Sequence, residues 1–213
     1  MPFLLVPGGG GVAGQNESGS GIGFLPGQGP QMVPSPTGYF SLLGGRRASS
    51  YTAEIATGVL ARYYPFYMPV TVTLSGLGGD CYQAAATSRK MAIFRADPLT
   101  NAVGDALDYV EVTLAATQWR SGNFQNGDLE LTTGWYWYGT FQSNTEVTGF
   151  RTFDKEYALS IGQNNPTIGS QEARAVNFAS STPTSYATWP AVKNTVTFTE
   201  DNSAIPWIIA IQA

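Results

Sequence analysis

The stretch from Gly134 to Phe141, GWYWYGTF, constrains this chain more than any other. In a strand, Trp135, Trp137 and Phe141 point to one face, and Tyr136, Tyr138 and Thr140 point to the other. One interior can hide only one of these sets. What covers the second set separates a self-contained globule from an enzyme or a component of something larger.

The surrounding pattern is that of short strands. VTVTL places Val70, Val72 and Leu74 on one face and threonines on the other. VEVTL (Val110 to Leu114), LEL (Leu129 to Leu131) and TVTFT (Thr195 to Thr199) repeat the alternation, while MAIFR (Met91 to Arg95) and WIIAI (Trp207 to Ile211) are apolar on both faces. SGLGGD, ADPLTNAVGD, SGNFQNGD and EDNSAIP between them read as turns. Alternation without a sustained 3.6-residue period predicts an all-β antiparallel sandwich or barrel. AEIATGVLARYY is the one candidate helix, and Gly58 weakens it.

Residues 1–50 differ in texture, with 13 of the 25 glycines, six prolines and three charges (Glu17, Arg46 and Arg47). Apolar islands break the glycines, whereas a plain spacer would lack them. Residues 1–50 therefore read as an extended, irregular docking arm, with Phe3, Leu4, Leu5, Phe24, Leu25, Tyr39 and Phe40 as its contact points. Residues 51–213 form the sandwich domain, with a polar insertion at about 149–191. Insertions of that length are usually functional or docked on a partner.

Composition excludes several classes of function. The chain has no histidine, which removes Ser-His-Asp and Cys-His catalysis and His-ligated metals. Its net charge of −4 leaves no basic footprint for nucleic acid. No apolar run is long enough to span a bilayer, and MPFLLVPGGGG lacks the basic start of a signal peptide. Cys81, the one cysteine, reads as a buried inert thiol. Charged residues are 12% of the chain, about half the usual ~25%, as expected where neighbours cover much of a surface.

The acids give no catalytic or metal signature. Asp97, Asp105, Asp108 and Glu111 lack the frame of a calcium loop and read as turn carboxylates. Glu200 and Asp201 read as residues of a hairpin turn. The N-terminal glycines have no Lys-Ser/Thr after them and form no phosphate loop. No cofactor, metal or catalytic residue is expected, although a pair of carboxylates cutting sugars stays open. Trp119, Tyr157, Tyr186 and Trp189 fall in loop-like segments, where flat rings suit the C–H face of a pyranose. The same rings also suit plugging the ends of a sandwich or packing between subunits.

RYYPFYMPVTVTLSGLGGDCYQAAATSRKMAIFRAD (Arg62 to Asp97), LELTTGWYWYGTF (Leu129 to Phe141) and the final IPWIIAIQA resemble the jelly-roll domain of tailed-phage fibre and other virion-surface proteins. The turn after Arg95 is longer than in that family, and the 149–191 insertion has no counterpart in it. The resemblance implies a jelly-roll-like β-sandwich, a homotrimer and a place in the virion, with the tail favoured over the head. It also implies partners: other virion proteins through the arm, and a host-surface glycan. Under it, Trp135, Trp137 and Phe141 fill the gap between two sheets, while Tyr136 and Tyr138 face a neighbouring subunit or the insertion. The function expected is that of a tail fibre or receptor-binding adhesin. A head decoration protein is the alternative, and a tail-associated glycan-degrading enzyme ranks behind it.

Overall fold

The computed structural model describes residues 38–42, 53–56, 60–100, 102–144, 148–151, 176–182, 185–193, 195–201 and 208–213. These form thirteen strands and no helix: β1 (Tyr39–Ser41), β2 (Ala53–Ala56), β3 (Ala61–Met68), β4 (Val72–Gln83), β5 (Ser88–Ala96), β6 (Val103–Thr113), β7 (Trp119–Asn123), β8 (Leu129–Leu131), β9 (Gly134–Gln142), β10 (Thr148–Arg151), β11 (Val176–Ser181), β12 (Thr197–Asp201) and β13 (Ile208–Gln212). One sheet has the order β12-β11-β3-β9-β5-β6. The other runs β1-β13-β4-β10-β2, with β7 and β8 also pairing with β4. All pairings are antiparallel. The all-β antiparallel expectation holds, and the architecture is sandwich-like.

The main core lies between the sheets. Tyr64, Phe66 and Met68 of β3, Met91 and Ile93 of β5, Val110 and Val112 of β6, and Tyr136 and Tyr138 of β9 come from the six-stranded sheet. Val72, Leu74, Leu77, Phe150, Ile208 and Ala210 meet them from the other. Val72 and Leu74 are buried while Thr71 and Thr73 are exposed, as their alternation requires. Cys81 also lies in this core, where burial pushes its thiol pKa up and keeps it unreactive.

A second core covers the outer face of the six-stranded sheet. Tyr63, Ala92, Phe94, Trp137 and Phe141 line it, and Trp189 packs onto them from the segment 185–193. This reverses the assignment of the two faces of β9. Tyr136 and Tyr138, expected at a subunit interface, are buried between the sheets and stack on Phe66 and Tyr64. The Tyr136 hydroxyl donates to the Thr132 carbonyl at 3.0 Å, giving the buried ring a polar outlet. Trp137 and Phe141 face outward, where the chain's own strap buries them. Only Trp135, edge-on to Tyr67, stays substantially exposed. Alternation separates the two sets, but which set faces the other sheet is decided by the sheet packing.

Four further expectations change. In the segment expected as a helix, Ala53–Ala56 form β2 and Ala61 to Tyr64 open β3, with Ala61 and Tyr63 facing one core and Tyr64 the other. SGLGGD lies inside β4 instead of a turn, and the register skips Ser75 as a bulge between Leu74 and Gly76. Glu200 and Asp201 end β12, opposite Asn177 and Val176, instead of making a hairpin turn. The supposed arm includes β1, which pairs with the last strand, and Phe40 is a core residue, so it cannot serve as a docking contact. The insertion contains most of β10 and all of β11. Phe3, Leu4, Leu5, Phe24, Leu25 and Tyr157 lie outside the described residues.

The turn after β7 is fixed by Asp108, which is almost fully buried on β6. Its carboxylate accepts hydrogen bonds from the backbone N–H of Tyr109, Gln125 and Asn126 and from the Asn126 side chain. Gly127 takes φ of +97° in the same turn, which glycine tolerates without strain. Replacing Asp108 with Ala removes the carboxylate that gathers these part-buried donors, and a loss of about 1–2 kcal/mol is expected in urea denaturation, with Asp108→Asn costing less.

Candidate functional site

Two surfaces carry the remaining aromatic chemistry, and they have opposite characters. The first is the strap over the second core. Within it, Trp189 N–H donates to the Ser185 carbonyl and Val192 N–H to that of Thr188. Trp189 is 1% exposed, its indole N–H donating to the Tyr63 hydroxyl at 3.0 Å. It lies over Gly139, where a Cβ would stand 3.2 Å from the indole and 2.5 Å from Phe94. Lys90 rises from β5 and donates to the carbonyls of Tyr186 (2.8 Å), Ala187 (3.2 Å) and Trp189 (2.8 Å). Its ammonium also sits against the rings of Tyr109 and Tyr186. Lys193 returns the contact by donating to the Val103 and Gly104 carbonyls. The Tyr186 hydroxyl donates to Glu111 at 3.1 Å.

This surface is a structural clamp. Trp189 is too deeply buried to meet a glycan, which corrects its place among the candidate contacts. Tyr186 is half-buried and held by Glu111 and Phe141.

The titration of these groups gives an alkaline signature. Burial raises the pKa of Tyr63 and of Tyr186, and the Glu111 carboxylate adds to the rise at Tyr186. Burial lowers those of Lys90 and Lys193, opposed by Glu111 and Asp105 respectively. Unfolded tyrosine ionises near pH 10 while the folded rings keep their protons, so the native state binds more protons and stability falls as pH rises. The lysines act in the opposite sense, but only below about pH 10.5, above which they are neutral in both states. Above that point each tyrosine lowers stability by at most about 1.4 kcal/mol per pH unit. Near-UV circular dichroism should therefore show cooperative loss of the aromatic signal at high pH. A Tyr63→Phe/Tyr186→Phe double variant should show a shallower slope.

The second surface is the outer face of the seven-stranded sheet. Leu77 faces the core, so Gly78 faces out, and a Cβ there would stand 2.4 Å from the Trp119 ring. The bare glycine gives the indole a floor. Tyr39 of β1 meets it edge-on at 6.1 Å between ring centres, and Trp119 keeps 38% of its surface exposed. Asp80 is the direct partner of Trp119 in the β4–β7 ladder. Arg151 of β10 holds Asp80 at 2.7 Å, and both side chains stay about one-quarter exposed. A flat apolar ring thus lies beside a donor–acceptor pair, an arrangement suited to stacking on a sugar ring while reaching its hydroxyls.

Of the residues proposed from sequence, this surface contains Trp119 and also Tyr39, which was assigned to the arm. Asp80 and Arg151 were not singled out. A signal for Asp80 was present in GLGGD, where glycines alternate with Leu77 as a strand with one bare face would require, whereas nothing local marked Arg151.

The acids considered for calcium do not converge. Asp97 caps its own turn, accepting from Leu99 N–H and from Thr100 N–H and hydroxyl, which lowers its pKa. Asp108 and Glu111 are engaged as described, and no group of three or more acids or cysteines stands together as a metal site among the described residues. Comparison with protein-family models, with curated proteins and with solved structures finds no match to this chain.

Proposed function

We propose that this chain is a virion-surface adhesin of a tailed phage that presses host-surface glycans onto Trp119. The exposed indole carries the reading: it lies on the Gly78 floor, flanked by Tyr39 and by the Asp80–Arg151 pair. The resemblance of Arg62 to Phe141 to the phage fibre domain, a jelly roll, supports the viral setting. Adhesion would come from repetition, since multivalent display adds about 10²–10⁴ to binding without strengthening any one site. The residues before Tyr39 would tether the domain to the particle.

A homotrimer is part of the proposal, but Tyr136, Trp137, Tyr138 and Phe141 of β9 no longer argue for it, because the sheet packing and the strap cover them. Support comes instead from the low charge content and from Val70, Leu99, Trp135 and Val192, which stay exposed near one end of the six-stranded sheet. That apolar end also suits a second reading, head decoration, in which the domain binds capsid protein.

The test is competition for adsorption. Purified protein should block phage attachment to host cells. Trp119→Ala should weaken the block at least about tenfold while costing only about 1 kcal/mol of stability. Equal blocking by the variant removes the site, and binding to capsids without blocking favours decoration.

A further inference from the structure

Resting on the glycan reading above, we infer that the Trp119 platform selects neutral saccharides and disfavours uronic or sialic acids. Asp80 and Arg151 lie 2.7 Å apart, so the polar edge of the platform carries one negative and one positive charge and sums to zero. A neutral pyranose uses both halves: its hydroxyls donate to the carboxylate and accept from the guanidinium. A sugar carboxylate reaching Arg151 must either displace Asp80 or lie beside it, and either choice is unfavourable. The chain's net charge of −4 adds a longer-range repulsion of acidic polymers. Trp119 itself does not discriminate charge, because its face meets C–H groups common to both classes. Selectivity therefore lies in Asp80, the ladder partner of Trp119.

The experiment measures binding of the intact chain to two sets of oligosaccharides of equal length, read by Trp fluorescence and by calorimetry. One set is neutral (gluco-, galacto-, manno- and rhamno-hexamers) and the other acidic (galacturonate, mannuronate and oligosialic hexamers). At least one neutral ligand should bind about tenfold or more tighter than every acidic one, and Trp119→Ala should abolish that binding. Asp80→Asn leaves the guanidinium charge uncompensated and should move the preference toward the acidic set by about tenfold. Acidic ligands binding as tightly as neutral ones would overturn the selectivity while leaving Trp119 as a sugar site. An unchanged ratio in Asp80→Asn would overturn the role of the pair. Binding of neither set would overturn the glycan reading itself and this inference with it.

Discussion

Trp189→Ala should lower the free energy of unfolding by about 3–5 kcal/mol, the range for truncating a fully buried aromatic. The indole packs against Tyr63, Phe94 and Phe141 at centroid distances of 6.4, 5.9 and 5.8 Å, so its loss opens a cavity that all three rings border. Rigid strands of the six-stranded sheet hold those rings and limit collapse into the space. The Tyr63 hydroxyl loses the indole donor and keeps Ser181 at 3.2 Å. Urea denaturation followed by far-UV circular dichroism measures the change. Trp119→Ala is the internal control, because an equally large loss there would mean that the two indoles are not, as described, clamp and platform.

Lys90→Met should cost about 2–3 kcal/mol, the range for losing hydrogen bonds made by a charged donor and leaving their acceptors short of a partner. Methionine keeps the length of the side chain, so the loss isolates the ammonium. Three carbonyls of the strap then lack the donor that gathers them, and those of Tyr186 and Trp189 lose 2.8 Å bonds. The Tyr109 and Tyr186 rings lose the cation between them. Lys90→Arg should recover only part of the stability, since a planar fork cannot converge on three carbonyls as a compact ammonium does. Hydrogen exchange should show the strap amides of Trp189 and Val192 deprotected in Lys90→Met, with β3, β5 and β9 largely retained. Uniform loss of protection would make Lys90 a global core residue instead of the anchor of one segment.

Both predictions concern an answer that the sequence posed but did not contain. GWYWYGTF required two covers, and MAIFR, apolar on both faces, required them for the adjacent strand. That requirement was legible because the side-chain period of a strand is two, whatever the strand packs against. Val110, Val112 and Leu114 likewise declared their buried face by alternation, and all three are buried. The candidate site was partly legible. Trp119 stood out as an aromatic outside the strand runs, whereas Asp80 and Arg151, 71 positions apart, are joined only by the pairing of β10 with β4.

Sequence alone determined the class of the fold, the two-faced character of its central strands and the absence of histidine-based chemistry. Those properties follow from local periodicity and composition, which every residue carries with it. Tertiary structure decided which face of β9 is interior, that a segment some fifty residues downstream supplies the second cover, and that Gly78 opens a floor for Trp119. These depend on contacts between residues remote in the chain, and the packing of sheet on sheet and strap on sheet selects among covers that the local pattern leaves equivalent.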